Sequence, residues 1–166
     1  HKYKKDGFVC MTYLGDGAVN QGQVYESFNM SALWSLPVIF IIENNKYGMG
    51  TSVNRASAGR SLAERGRAYG IPGMEVDGMN IFSVREAGKG ALDYTRSGKG
   101  PYILEMKTYR YRGHSMSDPA KYRTREEVQK MRAERDPIES LRDTLINNFK
   151  TTEEKLKTID KKVKVL

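Results

Sequence analysis

Two apolar runs, each cut off by a polar turn and separated by one helix length, restrict this chain to a strand-helix-strand unit. Phe8 to Leu14 reads as a strand broken at Gly15. Val38 to Ile42 reads as a second, opened by Pro37, and its near-continuous apolar character suits a parallel strand covered on both faces. Between them Val24, Phe28 and Ala32 recur at helical spacing, which predicts a helix from about Gln21 to Leu36. A helix of about 14 residues and a strand of about six each span roughly 20 Å, so the lengths close the unit. Its crossover is expected to be right-handed. The polar turns Gly15-Asp16-Gly17 and Asn44-Asn45 then lie beyond the carboxyl ends of neighbouring parallel strands, where open α/β sheets bind ligands.

Those turns supply the donors of a magnesium-diphosphate site. Magnesium prefers about six oxygen ligands near 2.0–2.1 Å. Asp16 offers a carboxylate, Asn45 an amide oxygen, and a diphosphate two oxygens more. Gly17 has no Cβ to keep a phosphate from the backbone, and the helix start that follows offers N–H groups to the same anion. Taken singly, Gly-Asp-Gly is a common turn and Asn-Asn often only ends a strand. After two strands and across one helix, the pair points to a shared ligand.

The rest of the chain continues the α/β alternation. Ser61 to Tyr69 is a candidate helix with a Ser61…Glu64 capping box and a stop at Gly70. Met74-Glu75-Val76 is a short strand. Asn80 caps a helix towards Ser97, with Val84, Ala87, Ala91 and Leu92 inward and Gly98 as terminator. Pro101 opens a strand over Tyr102 to Met106. Thr124…Glu127 is a capping box for a helix to about Arg135, Asp136-Pro137 caps the next, and Thr151 or Thr152 starts a last one. The expected fold is α/β, a parallel sheet with helices on both faces over residues 1–123, followed by a helical C-terminal arm over 124–166.

Composition bounds the function. The 166 residues suffice for one domain with a sizeable core. No apolar run approaches about 18 residues, so no membrane span is expected, and no signal-peptide pattern is present. Cys10, the one cysteine, cannot form an internal disulfide, which fits a reducing compartment. The net charge of +8 and the interleaving of Tyr109, Tyr111 and Tyr122 with arginines raise nucleic-acid binding as an alternative. A basic loop beside a diphosphate site accounts for the same charge more directly. The lysine-rich tail reads as a solvated helix face.

The longer strings are more specific. Gly15-Asp16-Gly17-Ala18-Val19-Asn20-Gln21-Gly22-Gln23, Glu26-Ser27-Phe28-Asn29-Met30, Ala32-Leu33-Trp34 and Glu43-Asn44-Asn45-Lys46-Tyr47-Gly48-Met49-Gly50-Thr51-Ser52 resemble the alpha subunits of the pyruvate dehydrogenase family. Tyr109-Arg110-Tyr111-Arg112-Gly113-His114-Ser115-Met116-Ser117-Asp118-Pro119 resembles that family's active-site loop. The likeness runs over essentially the whole chain.

The resemblance implies a thiamine diphosphate-binding fold of the diphosphate-binding type, truncated at the N-terminus to the C-terminal half of an alpha subunit. It implies that Asp16, the Asn45 side chain and the Tyr47 carbonyl ligate magnesium. Gly17 and Ala18 then contact the diphosphate of thiamine diphosphate, and His114 reaches the cofactor and the reacting centre as the catalytic residue. Ser115 matches a serine phosphorylated in mitochondrial relatives. Kinase-controlled relatives carry a further serine before the Tyr-Arg that matches Tyr122-Arg123. Lys121 stands there instead.

The implied activity is oxidative decarboxylation of pyruvate, with transfer of the acetyl unit to a lipoyl group of the acetyltransferase component. The implied partners are a beta subunit, in an alpha2-beta2 heterotetramer, and the lipoyl domain; nucleic acid and membrane are not expected. The chain is expected to be inactive without the beta subunit and the N-terminal half. The implied compartment is the bacterial cytoplasm, with the mitochondrial matrix as alternative. Other readings are the alpha subunit of another 2-oxoacid or acetoin dehydrogenase, or a non-catalytic partial subunit serving assembly.

Overall fold

The structure is a computed structural model that describes residues 1–59 and 61–165. The chain runs β1 (Cys10–Gly15), a 3₁₀ turn (Ala18–Asn20), α1 (Gly22–Leu33), β2 (Val38–Asn44), a small hairpin of β3 (Tyr47–Gly48) and β4 (Thr51–Ser52), and the short α2 (Val53–Ala56). A 3₁₀ helix (Ala63–Tyr69), β5 (Gly73–Asp77), α3 (Ile81–Arg96) and β6 (Tyr102–Lys107) follow, then α4 (Arg125–Arg135), α5 (Pro137–Asn147) and α6 (Glu153–Val163). Four strands form one parallel sheet in the order β1-β2-β6-β5.

The sheet is covered as its sequence requires. Successive side chains of a strand face opposite ways, so the apolar run of β2 feeds two cores. Phe40 and Ile42 join Val24 and Phe28 of α1, with Leu62, Ile71 and Ile103, on one face. Phe28 sits edge-on to Phe40 at 4.8 Å and 83°, a favoured aromatic geometry. Ile39 and Ile41 join Val76, Leu104, Met106 and Ala91 of α3 on the other face, with Val84, Ala87 and Leu92 packed against them.

Coverage of the second face stops at β2. Met11 and Tyr13, registered beside Ile39 and Ile41, are 50% and 61% exposed. Helices therefore flank both faces of the sheet, but β1 is clad on one side only.

Local physics corrects several expected boundaries. The first strand begins at Cys10, not Phe8: Gly7 turns the chain at φ +73° and Asp6 Oδ1 accepts the Phe8 amide at 3.0 Å. The first helix ends at Leu33, not Leu36. Ser35 occupies the left-handed position at φ +46°, where glycine is usual. The Ser35 amide bonds Ala32 O at 3.0 Å and the Leu36 amide bonds Ser31 O at 2.8 Å, which completes a Schellman ending.

The segment expected as a Ser61-capped α-helix is a 3₁₀ helix whose cap residue, Leu62, makes no side-chain cap bond. A carboxylate from β6, Glu105, accepts the Leu62 and Ala63 amides at 2.7 and 2.9 Å and the Ser61 hydroxyl at 3.3 Å. Gly70 does stop the segment, at φ +70°.

The remaining caps form largely as expected. Asn80 accepts the Phe82 and Ser83 amides, Asp136 those of Ile138 and Glu139, and Thr152 that of Lys155. Thr124 accepts the Glu127 amide, but Glu127 turns to take the Tyr109 hydroxyl at 2.9 Å, so only half of that box closes. Among the described residues no helix is long and apolar enough to cross a membrane.

Candidate functional site

Asp16 and Asn45 meet at the carboxyl-terminal rim of the sheet. Each is the first residue past its strand, and β1 and β2 are parallel neighbours with Gly15 opposite Glu43. Asp16 is 3% exposed, and its Oδ2 is buried with no hydrogen-bond partner. A buried acceptor without a donor is costly in a folded protein. Burial pushes the Asp16 carboxyl above its ordinary value, against the opposing pull of its own backbone N–H, the Arg110 charge and the Asn45 backbone N–H.

Two glycines permit the approach. A Cβ on Gly17 would stand 3.4 Å from the Gly48 Cα, and one on Gly48 would stand 3.2 Å from the Gly17 Cα. The backbones of the Asp16 turn and the β3–β4 hairpin thus lie face to face, and larger residues would wedge them apart. Gly17 and Ala18 open the 3₁₀ turn Ala18–Asn20, anchored by the fully buried Val19. That turn, and not α1 itself, is the helical start next to Asp16.

On the other side, Asn45 Oδ1 accepts the Tyr47 amide at 3.2 Å. Asn44 is fixed separately. Its Nδ2 donates to Glu105 Oε1 at 2.7 Å and its Oδ1 accepts the Lys46 amide at 3.0 Å. Arg110 spans the site: Nη1 donates to Met49 O at 2.9 Å while its charge acts on both Asp16 and Asp118.

Among the described residues no three His, Cys, Asp or Glu side chains are grouped to hold a metal ion. A cation at this rim would have one carboxylate, from Asp16, and would complete its shell from amide, backbone and ligand oxygens.

The loop after β6 rises from the same rim and folds back over the hairpin. Its His114 side chain is exposed, as are Ser115 and Ser117, whose hydroxyls bond each other at 3.0 Å. Asp118 organises the loop. It accepts the His114 amide at 2.7 Å, the Ala120 amide at 2.9 Å and the Tyr122 hydroxyl at 2.8 Å.

These donors, the His114 amide foremost, push the Asp118 carboxyl down to about 2. A depressed acid contributes stability above its unfolded value, here 3.8, and loses it as pH falls through its folded value. Protection of the His114 amide against hydrogen exchange should therefore persist at about pH 4 and disappear near pH 2. Asp118→Asn should show the loss already at neutral pH.

Asp16, Gly17, Asn45 and Tyr47 are thus brought together. His114 stands on their rim, held by its main chain, with its side chain free. Two of the tyrosines that raised nucleic-acid binding, Tyr109 and Tyr111, are covered by arginines of the same chain. Arg132 covers the Tyr111 ring at 5.4 Å, Arg123 covers that of Tyr109 at 4.9 Å, and the two tyrosines meet edge to face at 5.3 Å. Sequence reasoning missed Glu105, Arg110, Asp118 and Gly48. Of these only Glu105 left a signal, a charge inside an apolar strand.

Comparison with known proteins identifies the family. A family profile described as dehydrogenase E1 component matches residues 1–165. The pyruvate dehydrogenase E1 component subunit alpha of Rhizobium meliloti is 60% identical over 164 residues, 99% of this chain and 47% of that protein. Its namesake in Zymomonas mobilis is 60% identical over 145 residues, 87% of this chain and 41% of that protein. The human testis-specific mitochondrial form is 56% identical over 164 residues, 98% of this chain and 42% of that protein. The chain spans less than half the length of these three relatives. With nearly every residue matched, the chain belongs to the dehydrogenase E1 component family.

Proposed function

We propose that this chain carries the magnesium-diphosphate half of a thiamine diphosphate site, in the alpha subunit of a pyruvate dehydrogenase that decarboxylates pyruvate and passes the acetyl unit to a lipoyl group. The observation that carries the reading is the orphaned Oδ2 of Asp16, buried where Gly17 and Gly48 let the Asp16 turn and the hairpin after Asn45 approach each other. A cation there would give that oxygen its missing partner. The names of the relatives support pyruvate as the 2-oxoacid.

Asp16, the amide oxygen of Asn45 and the carbonyl of Tyr47 would hold magnesium; Gly17 and Ala18 would hold the diphosphate. Bound thiamine diphosphate supplies an electron sink for decarboxylation of a 2-oxoacid. The protein orients it and shields its charge. His114, exposed on the rim, would donate a proton to, or stabilise negative charge on, the reacting oxygen. Ser115 stands beside it, and a phosphate there would add about −1.5 to −2 charge and repel the anionic cofactor.

Residues 1–123 would form the cofactor-binding part and 124–166 a helical arm. A beta subunit, in an alpha2-beta2 assembly, would complete the site, and the lipoyl domain would collect the product. A bacterial cytoplasm or a mitochondrial matrix would house it.

Calorimetric titration of the protein assembled with its beta subunit tests the reading. Thiamine diphosphate should bind with magnesium and fail to bind once the metal is chelated. Cys10→Ser, at the exposed start of β1, should leave the affinity unchanged. Metal-independent binding would refute the site. Relative turnover of pyruvate and branched 2-oxoacids would decide the substrate.

A further inference from the structure

The sheet ends at β5, whose outer row of backbone N–H and C=O groups has no strand beside it. Between that edge and α3 runs a groove of about 700 Å³. Met74 of β5 and Phe82 of α3 wall it, and both are exposed. Gly90 opens its α3 side. Glycine is disfavoured inside a helix, yet a Cβ at Gly90 would meet nothing within 4 Å, so no contact within the described chain requires it. The opening suits a backbone that approaches from outside.

The charge of the groove runs against that of the protein. Glu75, Asp77 and Glu86 line it, and no described lysine or arginine does, in a chain of net charge +8. Glu75 pairs with Lys107 and Asp77 with Arg135, whereas Glu86 has no ion pair among the described residues. An occupant that fits is apolar along one face and basic at its flank.

α6 is such a helix. Leu156, Ile159 and Val163 share one face, at spacings of three and four. Ile159 and Val163 are 53% and 62% exposed. At about 100° per residue, Lys155 and Lys162 border that stripe on one side. The 11 residues of α6 span about 16 Å, as do the five of β5. α6 does not reach the groove of its own chain.

We propose that α6 of one copy of this chain docks in the β5–α3 groove of a second copy, its apolar stripe against Met74 and Phe82 and its lysines toward Glu86, and that the exchange is reciprocal. Two reciprocal contacts close at a dimer. The contact uses no residue of the magnesium-diphosphate site and does not rest on that reading.

Sedimentation of the intact, ligand-free protein at low salt, across a concentration series, tests this. Wild type should associate to a dimer. Gly90→Leu, which fills the opening, and the paired change Lys155→Glu with Lys162→Glu should each raise the dissociation constant about tenfold or more. All three positions are exposed, so both variants should melt no lower than wild type. Oxidative cross-linking identifies the occupant. In a Cys10→Ser background, Gly90→Cys protein mixed with Ile159→Cys protein should give a disulfide-linked pair that neither gives alone.

A monomer at every concentration, or association that survives either change, would overturn the proposal. So would a Gly90→Cys protein that links to itself and not to Ile159→Cys. Should Gly90→Leu leave self-association intact and instead block assembly with the beta subunit, the groove belongs to that partner and the proposal falls. If either variant melts below wild type, the cross-link of the mixed proteins decides.

Discussion

Asp16→Asn is expected to abolish magnesium-dependent thiamine diphosphate binding while making the ligand-free protein more heat-stable. The two effects have one cause. Asp16 is 3% exposed, and its Oδ2 faces no donor. Without a cation, the folded chain must desolvate a carboxylate it does not fully pair, and burial accordingly holds that carboxyl above its ordinary value of 3.8. The stabilising form of a raised acid is the protonated one. Its contribution is complete below 3.8 and is lost as pH rises through the folded value, so at neutral pH Asp16 is a liability of the empty site.

Asparagine removes the charge and keeps the shape. The melting temperature of the ligand-free protein should rise by roughly 2–4 °C, about the response of a chain this size to 1 kcal/mol. The same change deletes the buried carboxylate that would meet magnesium, a cation that depends on charged oxygen ligands. Affinity should fall by about a hundredfold or more, where each tenfold is about 1.4 kcal/mol. Scanning calorimetry and a magnesium-dependent titration check the two halves. A variant that binds as wild type, or that melts lower, would break the link between orphaned oxygen and metal ligand.

What the sequence reveals and what it hides divide along the range of the interactions. β2, β6 and α3 were legible because apolar period, proline and the Asn80 cap all act within a few residues. Asp16 and Asn45 were legible as a pair because adjacent parallel strands must end on one rim. The Ser61…Glu64 box misled because the donors at that helix start are taken by Glu105, 42 residues or more away in the chain. Glu127, spacing-perfect for its box, prefers Tyr109, 18 residues back. The Tyr47–Tyr122 stack could not be read at all: 75 residues separate the two rings, and no local pattern announces the contact. Sequence period reports what a residue does to its own element, whereas these contacts join elements that the fold alone brings together.

Glu105 makes that distinction measurable. It is fully buried, yet four donors converge on its two oxygens: Asn44 Nδ2 on Oε1, and the Leu62 amide, Ala63 amide and Ser61 hydroxyl on Oε2. An acceptor-only group meets that demand, and an apolar or amide side chain does not. Glu105→Ala strands two buried donors, the Leu62 and Ala63 amides, and two half-buried ones; at about 1–3 kcal/mol for each buried donor, a total loss of about 4 kcal/mol is expected.

Glu105→Gln keeps the volume but must turn an NH₂ toward either Asn44 or the 3₁₀ helix start, donor against donor. About 1–3 kcal/mol is expected for that one conflict. The damage should also reach function by a short path. Asn44 loses its anchor, Asn45 is its neighbour, and the turn that meets Asp16 is set by both. Urea unfolding measures the first effect and magnesium-dependent cofactor affinity of the folded Glu105→Gln protein the second. If Glu105→Gln unfolds at the wild-type midpoint, the carboxylate is not the cap of the 3₁₀ helix. If it is destabilised but binds normally, then Asn44 does not transmit its position to Asn45, and the turn is held by its other contacts, the Gly17–Gly48 approach, the Arg110 bond to Met49 O and the Tyr47–Tyr122 stack.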